Sequence, residues 1–145
     1  MSNKLISALT KVFADTYALY LKAQNFHWHV KGIQFKELHE LFEKQYIELA
    51  QAVDDLAERI RTLGHMVPSS FSELNELKSL ADGDSKQSGE AMLKEFLGDH
   101  RAVIKDLYTA LKLAQAEGDE GSVVILSDRI AHHEKSAWMI DATIS

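Results

Sequence analysis

Almost nothing in this sequence interrupts a helix. Pro68 is the only proline in 145 residues, and most of the seven glycines fall at the edges of long unbroken runs. Inside a helix proline costs about 3 kcal/mol and glycine about 1, so their positions divide the chain. The first run extends from about Asn3 to His29. Its apolar residues Leu5, Leu9, Val12, Leu19, Ala23 and Phe26 are spaced by three, four and seven, which marks an amphipathic helix. Gly32 follows it. The second runs from about Lys36 to Leu63 and stops at Gly64, the third from about Glu90 to Ala116 before Gly118, and the last from about Ser122 to Thr143. Between the second and third lies HMVPSSFSELNELKSLADGDSKQSG, where Pro68 and paired serines open a connector. Within it, SELNELKSLA is expected to form a short helix with Ser72 as N-cap. No strand pattern, internal repeat or low-complexity segment is present.

Two short links and one connector of about 25 residues joining four long helices describe an all-α four-helix bundle with a short extra helix, a single domain over residues 1–145. Such a connector can cross the full bundle, so that the second and third long helices run parallel. The alternative is an up-down bundle whose long loop folds back.

Composition removes whole classes of function. With no cysteine there is no disulfide, thiolate metal site or thiol nucleophile. The net charge of −6, with no basic cluster at either end, disfavours nucleic acid and favours cations. No apolar run approaches a membrane span, and the segment MSNKLISALTKVF lacks the apolar core of a secretion signal. A soluble, cytoplasmic protein is expected.

The second helix carries the chemistry. On a helical wheel Leu38, Leu41, Phe42, Gln45, Leu49, Ala52, Val53, Leu56, Ile60 and Leu63 form one core-facing stripe. A second sector, Glu40, Lys44, Glu48, Gln51, Asp55, Thr62 and Arg59, reads as solvated, with Asp55 and Arg59 as an exposed i,i+4 ion pair. The third sector mixes Ile47, Ala50 and Ala57 with His39, Glu43, Tyr46, Asp54, Glu58 and Arg61. That mixture suggests contact with a second copy of the chain. Asp54 and Glu58 are like charges one turn apart, mildly destabilising until a cation binds.

His27 ends the first helix, and His39 lies in the first turn of the second across a short link. Two imidazoles and two carboxylates suit iron or zinc, and the acidic, cysteine-free chain favours iron. Diiron sites inside bundles use Glu-x-x-His on two helices, yet no glutamate here has a histidine three residues later. At the helical rise, His39 and Asp54 are roughly 22 Å apart. The carboxylate pair and His39 therefore cannot meet within one subunit, but can if two second helices pack antiparallel across a two-fold axis.

The run NFHWHVKGIQFKELHELFEKQYIELAQAVDDLAERIRTLG resembles the core signature of the Dps family, the mini-ferritins. It carries His-Trp, then Gly, Phe, Leu-His, Phe, Tyr and Asp-x-x-x-Glu-Arg at the expected spacing. RIAHHEKSAWM resembles the family's Arg-Ile-x-x-His-Glu-Lys-x-x-Trp-Met. The resemblance implies a ferritin-like fold and a hollow dodecamer that stores ferric mineral and protects the cell from oxidative damage. It also implies ferroxidase activity at the two-fold interface, with Fe(II) oxidised preferentially by hydrogen peroxide. His27 and His39 would be ligands from one chain, and Asp54 and Glu58 ligands from its neighbour. Glu43 sits where the family usually has an acid near the irons, often aspartate. Trp28 would lie beside the site as an electron donor that limits radical escape, although as a residue it also suits an interface anchor.

The chain departs from the family's pattern in two places. It lacks the lysine-rich tail with which many members bind DNA. Val124 also stands where many members have an aspartate that helps line the iron-entry pore; either Asp119, Glu120 and Asp128 substitute for it or this pore is less acidic. Alternative readings are a DNA-compacting particle and a non-redox helical interaction particle. Of the remaining histidines, His29 points about 200° from His27 and is not expected to bind metal. His65 and His100 are expected at the surface, and His133 in subunit packing.

Overall fold

The computed structural model describes residues 3–145; Met1 and Ser2 of the N-terminal segment lie outside the described residues. The described residues form α1 (Asn3–His29), α2 (Phe35–Thr62), α3 (Phe71–Leu77), α4 (Gly89–Ala116) and α5 (Glu120–Ile144), with no strand among them. Every long helix lies within two residues of its expected span.

Polar contacts between helices fix their directions. Along α2, Gln45, Glu48 and Arg59 meet Ser136, Arg129 and Asp119 in descending order, so α2 and α5 are antiparallel. Lys22 meets Asp99 while Lys11 meets Asp106, so α1 and α4 are antiparallel too. α1 and α2 form a hairpin, which leaves α2 and α4 parallel. The connector therefore crosses the bundle, as its length allowed, and the up-down alternative is excluded.

Helix ends are built from local chemistry. Gly64 has φ 89°, and the bonds Gly64 N–H to Arg61 O and His65 N–H to Ile60 O close α2 around it. Gly118, at φ 68°, closes α4 in the same way, through Gln115 O and Ala114 O. The cap of the short helix lies two residues before the expected one. Ser70, not Ser72, caps it: the Ser70 hydroxyl accepts the Glu73 N–H and donates to the Glu73 carboxylate at 2.8 Å. Ser72 is the residue inside the turn and lacks that reach.

The core is the apolar stripe of all four long helices, centred on Phe26, Phe42 and Phe96, whose rings meet edge to face. On α2, Leu38, Phe42, Leu49, Ala52, Leu56 and Ile60 are buried as expected. Two polar side chains on α1, Lys22 and Asp15, are also buried. Lys22 is 2% exposed between Glu95 and Asp99, each at 2.8 Å. Asp15 accepts the Ser79 and Leu80 backbone N–H groups and so ties the connector to α1.

Candidate metal centre

The link of residues 30–34 is short enough to fold the end of α1 directly against the start of α2. The His27 and His39 rings stack there, centroids 3.8 Å apart and 17° from parallel. His27 Nδ1 lies 2.7 Å from the His39 carbonyl oxygen, and His39 Nδ1 lies 2.7 Å from the His27 carbonyl oxygen. A carbonyl oxygen only accepts, so each Nδ1 carries the hydrogen. In the neutral rings both Nε2 atoms are then free lone-pair donors, oriented before any ion arrives. Glu43, one turn beyond His39, brings its carboxylate to 3.7 Å from His27 Nε2. His27, His39 and Glu43 form the one cluster among the described residues whose ligand atoms converge closely enough to hold a metal ion. The Tyr46 ring closes one side, its centroid 5.3 Å from that of His27.

Asp54 and Glu58 do not join this cluster. They sit exposed further along the same unbroken helix, Asp54 on an open groove of about 570 Å³ between α1 and α2. Trp28 is 59% exposed beside the clasped histidines, and Ile47 is 57% exposed on the mixed face of α2. His29 is exposed and bonds back to the Asn25 carbonyl, so it takes no part in the cluster. Glu120, Val124 and Asp128 are exposed.

Three expectations are corrected. His100 is a core residue, 1% exposed. It continues the buried α4 stripe of Phe96, Val103 and Leu107, a register that could have been read from the sequence. His133, also 1% exposed, faces the interior of its own bundle from the stripe Leu126, Arg129, Ile130 and Ala137, and is not free for subunit packing. Arg59 does not pair with Asp55. It reaches Asp119 at 2.6 Å and Ser122 at 3.0 Å, while Asp55 accepts from Gln51. Asp119 is consequently engaged as the cap of α5 and is no substitute for a pore acid. Burial pushes its carboxyl upward, but hydrogen bonds from Ser122 and the Arg59 charge outweigh this and hold it below the usual range.

The two buried histidines belong to one oriented chain. Arg129 binds Glu48 and donates to His133 Nε2 at 3.0 Å. Arginine cannot accept, so His133 carries its hydrogen on Nδ1 and gives it to His100 Nδ1 at 2.9 Å. His100 Nε2–H then donates to Gln45 Oε1 at 3.0 Å, and Gln45 donates to Ser136. Burial, with Arg129 nearby, lowers the His100 pKa to about 3 and holds His133 well below its ordinary value. Both rings are neutral, and a guanidinium lies where an internal metal site would need anions. The bundle interior is therefore an unsuitable cation site, in contrast to the helix-end clasp.

No helix among the described residues is long and apolar enough to cross a membrane. A family model described as "Ferritin-like domain" matches residues 6–145. The chain is 34% identical over 145 residues to a protein named DNA protection during starvation protein 2 from Bacillus anthracis, covering 100% of this chain and 99% of that one. It is 35% identical over 144 residues to DNA protection during starvation protein from Helicobacter pylori, covering 98% and 99%. Among solved structures, Dps from Staphylococcus aureus superposes with a TM-score of 0.96 at 31% identity, covering 99% of this chain and 97% of that one. A Dps protein from Bacillus brevis gives 0.95 at 29%, with full coverage of both.

Proposed function

The chain belongs to the Dps mini-ferritins of the ferritin-like family, and from that membership we propose that it oxidises ferrous iron at sites shared by two subunits. Membership supports iron storage in general. The preferred oxidant is hydrogen peroxide, and the ferric product is stored as mineral inside a dodecameric shell. Peroxide spent on this reaction cannot form hydroxyl radicals with free iron, so storage and protection are one process.

The observation that carries this reading is the His27–His39 clasp, which presents two fixed nitrogen donors and the Glu43 carboxylate at a helix end. One subunit offers that half. Asp54 and Glu58 of a two-fold neighbour complete it, because the mixed face of α2 carries the complementary half one rod-length away. The ligand set brings ion and oxidant together and supplies the negative charge that ferric product requires. Zinc, which accepts the same nitrogen and oxygen donors, is a competing occupant. Trp28 stands beside the clasp as a further electron source. The net charge of −6 argues against the DNA-compacting reading.

The test changes His27, His39, Asp54 and Glu58 together to alanine. The expected variant keeps the shell by particle mass but loses rapid peroxide-driven iron oxidation. A variant that oxidises iron as fast as the parent places the site elsewhere, and a parent that remains a monomer removes both shared site and storage cavity.

A further inference from the structure

A ladder of touching aromatic rings leaves the clasp and runs along the seam between α1 and α2. Tyr46 meets His27 edge-on at 5.3 Å between centroids. Tyr20 meets Tyr46 at 6.3 Å, and Tyr17 meets Tyr20 at 5.8 Å and 89°. Phe13, which is not readily oxidised, ends the series at 6.2 Å from Tyr17. Edge-to-face packing accounts for the spacing, but not for a run in which each ring before the last carries a phenol. Tyr17 and Tyr20 line the same groove as Asp54. The ladder therefore begins at the histidine half of one site and ends on the groove that also holds Asp54, a carboxylate assigned to the other.

We propose that Tyr46, Tyr20 and Tyr17 relay single electrons between the two iron sites of a subunit pair, so that one peroxide is reduced by one ferrous ion from each. This rests on the ferroxidase reading above. Peroxide needs two electrons to break its O–O bond, and a ferrous ion gives one. At the first site, one ferrous ion, one peroxide, the Tyr46 phenol and one proton from solvent yield one ferric ion, a neutral Tyr46 phenoxyl radical and two waters. The phenol has given up its hydrogen as an electron and a proton. The vacancy then moves from ring to ring, each phenol passing an electron and a proton to the radical before it. The Tyr20 hydroxyl, which accepts from Gln24 Nε2 at 3.2 Å, lies midway. At the far end a second ferrous ion supplies an electron and solvent supplies a proton, restoring the phenol. In sum, two ferrous ions, one peroxide and two protons give two ferric ions and two waters, and no hydroxyl radical is released.

The relay predicts a transient that packing alone would not produce. Assembled shells carrying Trp28→Phe, to remove the competing donor, are mixed with ferrous iron and peroxide and frozen within milliseconds for electron paramagnetic resonance. A tyrosyl signal that changes its hyperfine pattern with ring-deuterated tyrosine is expected. Tyr46→Phe should abolish that signal and raise spin-trapped hydroxyl radical. Tyr20→Phe, cutting the ladder after its first phenol, should leave the signal but lengthen its life, because the second iron no longer refills it. Both changes keep ring and volume, and particle mass verifies the shell. A parent that oxidises iron with no tyrosyl signal, or a Tyr46→Phe shell indistinguishable from it, overturns the relay alone. A parent that oxidises no iron overturns the ferroxidase reading and the relay with it.

Discussion

Consider two variants that the proposed function expects to be inactive: His27→Ala/His39→Ala, without the nitrogen donors, and Asp54→Ala/Glu58→Ala, without the distant carboxylates. α2 is one unbroken helix over Phe35–Thr62, so fifteen residues at about 1.5 Å each hold His39 and Asp54 about 22 Å apart within a chain. Ligands of one ion lie only about 2 Å from it. Shared sites require each chain to donate its halves to different centres. A pair made of one chain of each variant then has one intact site, with nitrogens from the carboxylate-deficient chain and carboxylates from the histidine-deficient one. Its other site lacks both halves. If equal amounts are dissociated, mixed and reassembled at random, half of the pairs are mixed and about a quarter of all sites are whole. The initial rate of peroxide-driven ferrous oxidation, followed by stopped-flow absorbance of ferric product, should recover to about a quarter of the parent's. Each variant reassembled alone should stay at background. If mixed shells, captured through a different tag on each variant, remain as inactive as either parent variant, shared sites are refuted. Complete sites within one chain could not be rescued by mixing, since neither variant has one.

Other perturbations test the scaffold. Gly98 lies exposed in the middle of α4, and an added Cβ would meet open space, so Gly98→Ala should raise subunit stability by about 0.5–1 kcal/mol in urea melts. Lys22→Ala strands Glu95 and Asp99 against a buried helix face and should cost about 3 kcal/mol, with Lys22→Met costing less through retained packing. His100 and His133 are folded with pKa values below those of the unfolded chain, so as pH falls below about 6.5 the unfolded state gains protons first. Stability should fall by about 1.4 kcal/mol per pH unit for each ring toward pH 3, and His100→Gln should roughly halve the slope measured by denaturant melts between pH 4 and 6. Asp119 acts in the same direction at lower pH, because its depressed carboxyl loses its stabilising charge only below about pH 4.

The parts of the molecule legible in the sequence are those written in helical periodicity. Leu38, Phe42, Leu49, Leu56 and Ile60 declare their face by spacing alone, and Gly64 and Gly118 end helices because only a residue without Cβ takes their positive φ at little cost. The neighbourhood of His27 and His39 was legible because a short link allows only one hairpin. The clasp was not, since its acceptors are backbone carbonyls and leave no mark on side-chain pattern. The polarity of His100 and His133 hides their burial, which follows from register: Phe96–His100–Val103–Leu107 and Leu126–Ile130–His133–Ala137 each continue a core stripe. Arg59 was assigned to Asp55 by the rule for neighbours one turn apart. Asp119, sixty residues away in sequence, held the stronger claim through a buried cap. Lys22 was missed for the same reason, as its partners lie on another helix.

The mutual grip of His27 and His39 has a consequence for selectivity. Rings already locked in position fix two donor directions and cannot adjust them to the geometry an incoming ion prefers. On the proposed shared site the adjusting would fall to the opposite bank, Asp54 and Glu58 of a neighbour, exposed acids on short stems that can open or close around ions of different size. Lengthening those acids, Asp54→Glu for example, should therefore change which size of ion is held best while the two nitrogen donors stay as they are.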